Sequence, residues 1–232
     1  MEINWNKYFD HIFILSRCKN FEKRERLNKE LKRVNLDKYV TYLYQCDSEL
    51  LKYSPYLTKE VYRCRNAHYS CIKMSYELNY DNILILEDDL VFLKNIKLIE
   101  YYLEKFYIER NNYNYYTFDY FIINDNIYGG GCYYLDRKGM EYFIYCLEKY
   151  NNVPNDCFVH ISDLFNSDIQ NVSWYLMIEH KLNIGTNIFI PKKLLPFKVG
   201  YCEEYMCFQP SIIKDDLVKY KIDFDVNKYE FN

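Results

Sequence analysis

Short apolar segments alternate with helical patterns along the first two thirds of this sequence, and this alternation is the strongest constraint on its fold. Runs rich in Ile, Leu, Phe and Tyr predict β-strands at residues 11–15, 39–44, 83–86, 120–123 and 133–135. Apolar residues at helical spacing predict α-helices at residues 21–34, 59–78 and 137–150. Strands and helices that alternate in this way are typical of an α/β protein.

The second predicted helix has one distinctive face. The residues at a spacing of three and four along it are Val61, Cys64, His68, Cys71, Ser75 and Leu78. A face of this kind packs against a sheet, so we expect His68 to point into the protein. A histidine there is either a hydrogen-bonded core residue or a residue that contacts a ligand, and both interpretations stay open.

The length of 232 residues predicts one domain, residues 1–232, with a single substantial core. The polar Asn/Tyr segment 111–117 is expected to be a loop. Four prolines divide residues 151–232 into short pieces around one predicted helix at 172–181. We therefore expect mostly loops in the last third of the chain.

The charge balance excludes some partners. The chain has 30 basic and 33 acidic residues mixed along its length, which does not favour nucleic acid. The first apolar run is shorter than the ~7–15 apolar residues of a signal peptide. No segment approaches the ~20 apolar residues of a membrane span. These features predict a soluble cytoplasmic protein.

Cysteine usage agrees with a reducing compartment. The nine cysteines are an odd number and include no Cys-x-x-Cys pair. We expect reduced, mostly buried thiols. The 28 tyrosines, with many Asn, Lys and Ile residues, resemble the coding bias of an AT-rich genome, which favours a viral or bacterial origin.

The sharpest chemical feature is a buried-type strand, residues 83–86, that runs directly into Glu87, Asp88 and Asp89. Ligands of open α/β sheets bind beyond the carboxyl ends of the strands, and clustered carboxylates repel one another unless a cation intervenes. Oxygen ligands suit Mg²⁺ or Mn²⁺, which commonly bind substrate phosphates as well. Alternation along an extended chain predicts that Glu87 and Asp89 project alike, with Asp89 as the direct ligand. The alternative is that these acids only end the strand and cap the next turn.

Several sequence blocks resemble the family 25 glycosyltransferases, which include lipooligosaccharide sugar transferases and procollagen galactosyltransferases. The strand at 12–15 and Glu22-Lys23-Arg24-Glu25-Arg26 are similar to the family's opening strand and Arg-Arg-Glu-Arg helix, and Ser16 stands where the family has Asn. Residues 64–68 are similar to Gly-Cys-x-x-Ser-His, with Ala67 in place of the serine. Residues 86–89 match Leu-Glu-Asp-Asp, and residues 131–139 are similar to Gly-Ala-Tyr-x-Ile-Ser-Arg-x-Gly. The resemblance covers residues 11–150.

This resemblance implies a GT-A-type fold with a mixed, mainly parallel central sheet flanked by helices. Residues 1–110 would form the nucleotide-sugar and metal half, and residues 111–232 the acceptor side. The implied reaction is an inverting, Mn²⁺-dependent transfer of galactose or glucose from a nucleotide-diphosphate sugar, expected to be a UDP-sugar. The acceptor would be a hydroxyl on a glycan, a lipid-linked sugar or a protein such as a collagen-like chain.

The acidic run, the positions of polar residues at strand ends and the resemblance together indicate the candidate binding residues. The metal candidates are Glu87, Asp89 and His180. The candidates for donor binding are Ser16, Arg17, Arg24, His68, Glu87 and Asp125. Lys23 also follows the first strand, but for it we favour a solvated helix face.

Three consecutive glycines have two possible roles. They either let the backbone approach the sugar or only form turns: Gly129, Gly130 and Gly131. Asp119 and Asp125 flank a strand, and Asp125 either contacts the donor or only caps the strand.

The catalytic candidates are Asp156 and Asp88. A general base must accept the proton of the attacking hydroxyl, and Asp156 lies in a Pro-x-Asp segment similar to one in the family. An alternative alignment places the family's acid at Ser173, which could not act as the base, and Asp163 or Asp168 would have to replace it.

Two rival functions stay open. Clustered acids at a sheet edge also serve metal-dependent phosphohydrolases and nucleases, which would hydrolyse a substrate without an acceptor sugar. The departures at Ser16, Ala67 and Ser173 also fit a donor-binding or scaffold protein that has lost turnover.

Overall fold

The computed structural model describes residues 2–45, 59–119, 121–123, 126–128, 130–150, 194, 197–202, 206–208 and 228. The helices in this part of the chain are α1 (Phe21–Arg33), α2 (Lys59–Glu77), α3 (Ile96–Glu109) and α4 (Arg137–Lys149). The main sheet contains β1 (His11–Arg17), β2 (Val40–Gln45), β3 (Asn82–Glu87), β5 (Tyr115–Thr117), β8 (Cys132–Asp136) and β9 (Val199–Tyr201). Two further pairs are formed by β4 (Val91–Phe92) with β10 (Cys207–Phe208) and by β6 (Phe121–Ile123) with β7 (Asn126–Tyr128).

The main sheet has the strand order β2-β1-β3-β8-β5-β9. β1 pairs in parallel with β2 and β3, and β5 pairs in parallel with β9. Among these six strands only β8 runs in the opposite direction, since its pairings with β3 and β5 are antiparallel. The predicted α/β class with a mixed, mainly parallel sheet is confirmed.

Side chains alternate between two hydrophobic cores, one on each face of the sheet, because successive strand residues point to opposite faces. Leu84 and Leu86 of β3 belong to the core that includes residues of α1 and α3. Ile83 and Ile85 belong to the core that includes residues of α2 and α4. All four side chains are buried. Two helices therefore cover each face of the sheet, which leaves the strand ends to form the site.

The inward face predicted for the second helix is present in α2. His68, Cys71 and Ser75 are each fully buried. Leu78 was expected on the same face but is 57% exposed. The reason is that α2 ends at Glu77 and the chain turns at Asn79, whose φ of 61° is left-handed.

The predicted loop at 111–117 is wrong, because it contains β5, which lies inside the main sheet between β8 and β9. Tyr115 and Tyr116 are buried in opposite cores. Asn114 is also buried, and its amide donates to Asp136 and accepts from the backbone of Lys198. Buried tyrosine rings and hydrogen-bonded polar groups thus stabilise a strand in a segment whose polar composition indicates a loop.

Two further elements differ from the sequence prediction. The strand predicted at 120–123 forms as β6, but it pairs with β7 outside the main sheet. α3 is not predicted at all, although Asn95 caps its first turn by accepting from Lys97 N at 3.1 Å. Ile99, Leu103 and Phe106 of this helix are buried.

Five of the seven described cysteines are buried, as expected, and none of the seven is in a disulfide within the described residues. Cys46 and Cys157 lie outside the described residues. Within the part of the chain that the structure describes, no helix combines the length and the apolar character that crossing a bilayer requires.

Candidate functional site

The carboxyl ends of β1 and β3 meet at one edge of the sheet. The parallel register places Leu15 opposite Glu87, so Ser16 and Arg17 extend beside the acids that follow β3. In the sheet, β2 and β3 lie on opposite sides of β1. The chain runs from β1 through α1 to β2, and then from β2 through α2 to β3. Such a reversal of strand order opens a crevice, which is the usual ligand position in α/β sheets.

A cavity of about 380 Å³ lies in this crevice. Residues of β1, α1, α2 and the acidic turn after β3 line this cavity, so each of these elements contributes to it. The lining residues are Leu15, Ser16, Arg17, Asn20, Lys23, Cys64, Ala67, His68, Glu87, Asp88 and Asp89.

Glu87 is held from the α2 side of the cavity. Its Oε1 lies 3.0 Å from Nε2 of His68 and 3.7 Å from Sγ of Cys64. Its backbone N–H donates to the carbonyl of Gly131 at 2.7 Å, which attaches the end of β3 to the segment that leads into β8. The Glu87 side chain is 28% exposed and can therefore reach a ligand in the cavity.

Asp88 and Asp89 are held from the α1 side. Asp88 Oδ2 accepts from the Ser16 hydroxyl at 2.7 Å and from the Asn20 amide at 3.1 Å. Asp89 Oδ2 accepts from the Lys23 ammonium at 2.9 Å. Both aspartates are buried, and their partners lie at the end of β1 and in the first turn of α1.

The expectation that Glu87 and Asp89 project alike is not met. Glu87 contacts α2, whereas Asp88 and Asp89 both contact the β1–α1 segment. The reason is local: β3 ends at Glu87, and residues 88 and 89 form a turn, so the two-residue alternation of a strand does not continue past Glu87. All three carboxylates nevertheless line the same cavity.

His68 combines the two interpretations left open by the sequence. It is fully buried, and its Nδ1 lies 2.7 Å from the hydroxyl of Tyr133 on β8. Burial raises the pKa of Tyr133 well above its usual value, so this hydroxyl stays neutral. The other ring nitrogen faces Glu87 and the cavity. His68 is therefore a core residue on one edge of its ring and a site residue on the other.

Asp119 does not line the cavity but holds the backbone segment next to it. It is buried, and its carboxylate accepts from the backbone of Cys132 at 2.7 Å, from the backbone of Gly131 at 3.1 Å and from the Thr117 hydroxyl at 3.2 Å. Burial raises the pKa of Asp119 well above its usual value, and the nearby charge of Glu87 adds to the shift. Asp119 therefore caps backbone N–H groups of the segment that leads into β8.

The basic residues after β1 divide into two groups. Arg17 and Lys23 line the cavity, and Lys23 pairs with Asp89. Arg24 is not among the lining residues and donates to Ser16 Oγ, to the carbonyl of Arg17 and to the carbonyl of Cys18. Arg24 therefore braces the β1–α1 turn. The Lys23 side chain is 43% exposed, in keeping with the solvated role favoured for it, but its ammonium also pairs with Asp89 at the cavity.

Five lining residues were not candidates from the sequence: Leu15, Asn20, Lys23, Cys64 and Ala67. Two signals could have found three of them. Asn20 and Lys23 are three residues apart at the start of the helix that follows β1, and the first turn of such a helix faces the strand ends. Cys64 lies four residues before His68 on the same helix face.

Other candidates lie outside the described residues. These are Asp125, Asp156 and His180, together with Ser173, Asp163 and Asp168 of the alternative alignment. Their assignments stay predictions.

Comparison with solved structures finds glycosyltransferases at low identity. A glycosyltransferase involved in the glycosylation of the major capsid of PBCV-1 is 12% identical with a TM-score of 0.42, over 86% of this chain and 93% of that chain. The glycosyltransferase GlyE of Streptococcus pneumoniae TIGR4 is 13% identical with a TM-score of 0.40, over 84% of this chain and 55% of that chain. Its apo form is 13% identical with a TM-score of 0.43, over 86% and 53%.

The chain thus spans about half of the length of the GlyE chains. No protein-family model matches the sequence, and no curated protein matches it. Similarity at this level does not identify an activity.

Proposed function

We propose that this protein is a metal-dependent glycosyltransferase that moves a hexose from a nucleotide-diphosphate sugar to a hydroxyl acceptor. The observation that carries the proposal is the arrangement of Glu87, Asp88 and Asp89 around one cavity at the carboxyl ends of β1 and β3, which Lys23 and Arg17 also line. Acids that hold a cation, beside basic residues that face the same space, suit a diphosphate substrate. The similarity of residues 86–89 to the acidic motif of family 25 supports the same proposal.

The ligand types of Glu87 and Asp89 suit a hard divalent cation. Glu87 and Asp89 offer carboxylate oxygens, the ligand type that Mn²⁺ and Mg²⁺ prefer. A cationic group already lies at this position, since the Lys23 ammonium is 2.9 Å from Asp89. The Lys23 side chain is 43% exposed, so it can swing toward the phosphates when a metal takes its place. Manganese held there would neutralise the charge that develops on the leaving nucleotide diphosphate.

The neighbouring residues have separate tasks in this proposal. Lys23 and Arg17 bind the phosphates, and Arg24 keeps the β1–α1 turn in the shape that presents them. Asp88 is already hydrogen-bonded to Ser16 and Asn20, which favours a positioning role over proton transfer. Asp156 is then the better candidate for the base that accepts the proton of the acceptor hydroxyl.

The donor and acceptor follow from the sequence resemblance. We propose a UDP-sugar of galactose or glucose as the donor, with inversion at the anomeric carbon. The acceptor is a hydroxyl of a glycan, a lipid-linked sugar or a protein. Sugars that differ in one hydroxyl orientation are distinguished by a few hydrogen bonds, so a donor panel is needed to name the sugar.

The test is nucleotide-diphosphate release with Mn²⁺, a panel of nucleotide sugars and simple glycoside acceptors. One donor should give release that depends on both the metal and the acceptor. The double variant Glu87→Gln/Asp89→Asn should lose about a hundredfold or more of that rate, because the charges that stabilise the leaving group are gone. The exposed pair Asp37→Asn/Glu77→Gln makes the same chemical changes away from the cavity and should retain the rate.

Other outcomes would select the rival functions. Release that needs no acceptor would indicate a phosphohydrolase. A donor-induced rise in the melting temperature without release would indicate a donor-binding protein. If neither release nor a melting shift occurs with any donor, the proposed metal clamp is wrong.

A further inference from the structure

A second set of ligand atoms lies on the α2 wall of the cavity. Cys64 and His68 are four residues apart on α2, which places them on one face of the helix. Sγ of Cys64, Nε2 of His68 and Oε1 of Glu87 all lie within 4.8 Å of one another. The distances to Glu87 Oε1 are 3.7 Å from Cys64 Sγ and 3.0 Å from His68 Nε2. Three different ligand types from two elements thus converge on one point.

This set differs in chemistry from the oxygen ligands of Glu87 and Asp89. Thiolate, imidazole and carboxylate together are the ligand types of zinc, whereas manganese prefers oxygen. Zinc bonds of about 2.0–2.3 Å in a tetrahedron place neighbouring ligand atoms about 3.4–3.6 Å apart. The two distances to Glu87 lie on either side of that range. Only small side-chain shifts would be needed to close the site around an ion.

His68 is already oriented for this role. Its Nδ1 is 2.7 Å from the Tyr133 hydroxyl, and the two rings stack with centroids 5.6 Å apart. An outer partner of this kind fixes the ring and directs the remaining nitrogen toward the metal. Its Nε2 is thus directed at Glu87 on the cavity wall.

We propose that Cys64, His68 and Glu87 form a zinc site whose fourth position opens into the cavity. All three residues line that cavity, so water or a ligand atom can reach the open position. Three protein ligands with one open position are typical of catalytic rather than structural zinc sites. The site depends on the Cys64–His68 pair and shares only Glu87 with the proposed manganese clamp. Zinc at Oε1 leaves Oε2 of Glu87 for the proposed manganese clamp, so the two sites are compatible.

Zinc binding to the whole chain tests the site. Chelator-treated, reduced protein is titrated with Zn²⁺ by calorimetry. The wild type should bind one equivalent, and Cys64→Ser and His68→Gln should each weaken binding by about a hundredfold or more, because each removes a direct ligand. Cys18→Ser is the matched control, since Cys18 is also a half-buried thiol but does not line the cavity. Circular dichroism verifies that each variant folds.

Cobalt provides a second readout, which detects the thiolate ligand itself. Co²⁺ in place of Zn²⁺ should give a near-ultraviolet thiolate-to-cobalt charge-transfer band in the wild type and in Cys18→Ser, and no such band in Cys64→Ser. A wild type that binds no zinc would overturn the proposal. So would zinc binding that Cys64→Ser leaves unchanged, or bound cobalt without the band.

The Asp89→Asn variant separates this proposal from the proposed function. It removes a ligand of the manganese clamp but none of the zinc site. The cobalt band should remain in Asp89→Asn while manganese-dependent release is lost. A band without any release in the wild type would leave the zinc site standing and contradict the transferase, whereas release without a band would do the reverse.

Discussion

Several buried carboxylates among the described residues have defined partners. Asp119 accepts from two backbone N–H groups and one hydroxyl. Glu30 is buried on α1, pairs with Arg33 and accepts from the backbone of Phe92 at 3.1 Å. Such groups stabilise the fold only while their partners remain, since an orphaned buried donor or acceptor costs about 1–3 kcal/mol. Hydrogen bonds therefore fix the positions of these side chains as much as burial among apolar residues does.

His11 predicts a pH dependence of stability. Its Nε2 lies 2.9 Å from the Thr41 hydroxyl, its ring stacks on Tyr80, and burial lowers its pKa below 6.5. Between that lowered value and 6.5 the unfolded chain binds more protons than the folded protein, so the free energy of unfolding rises with pH in this window and falls as acid is added. Urea unfolding from about pH 5 to pH 8 measures the slope.

The variant His11→Gln should flatten the part of this slope that lies below pH 6.5, since glutamine does not titrate. An NMR titration of the wild-type ring gives the midpoint directly. A midpoint above 6.5, or a slope that the variant leaves intact, would contradict the assignment.

The start of α4 shows how closely helices pack on the sheet. Asp136 caps the helix by accepting from Gly139 N. A Cβ at Gly139 would lie 2.1 Å from the backbone oxygen of Asn114, just before β5. Backbone cannot move aside as a flexible side chain can, so Gly139 is required by the approach of the α4 helix to the sheet and not by its own conformation.

Gly139→Ala should therefore destabilise the protein although alanine favours helices. The intrinsic preference for alanine is worth about 1 kcal/mol, but a clash with rigid backbone typically costs about 1–3 kcal/mol and can cost more. We expect a net loss, measured as a lower midpoint of urea unfolding. Gly130→Ala is the matched control, because a Cβ there meets no atom within 4 Å, and it should change stability by less than about 0.5 kcal/mol. Equal effects of the two changes would contradict this packing argument.

The two hydrophobic cores lie on opposite faces of one sheet, so both depend on the same strands. Leu84 and Ile85 are neighbours on β3, and each is fully buried, but they belong to cores on opposite faces. Loss of either core would expose one face of the same strands. The described part of the chain should therefore unfold as one unit.

Leu84→Ala and Ile85→Ala test this cooperativity. Each should lower the free energy of unfolding by about 2–5 kcal/mol, because each leaves a cavity in a closely packed core. Both should shift a single transition followed by circular dichroism and by tryptophan fluorescence. Two separated transitions, or a variant that moves one signal and not the other, would show that the cores unfold independently.

Much of the framework could be predicted from the sequence because it depends on local pattern. Apolar runs and helical spacing predicted β1, β2, β3 and β8, and the helices α1, α2 and α4, to within a residue or two at most ends. The acid run at residues 87–89 was predicted at a strand end, and His68 was predicted to point inward. Where local pattern was ambiguous, as in the tyrosine-rich β5, the prediction was wrong.

The composition of the site was decided only by the tertiary structure. Lys23 and Asp89 are 66 positions apart in sequence, and Cys64 and Glu87 are 23 apart. Parallel pairing of β1 with β3 brings the first pair together, and packing of α2 on the sheet brings the second. The sequence by itself determined which elements form and which carboxylates end a strand. Which side chains face those carboxylates depends on strand order and helix packing, because these set distances between residues that no local pattern connects.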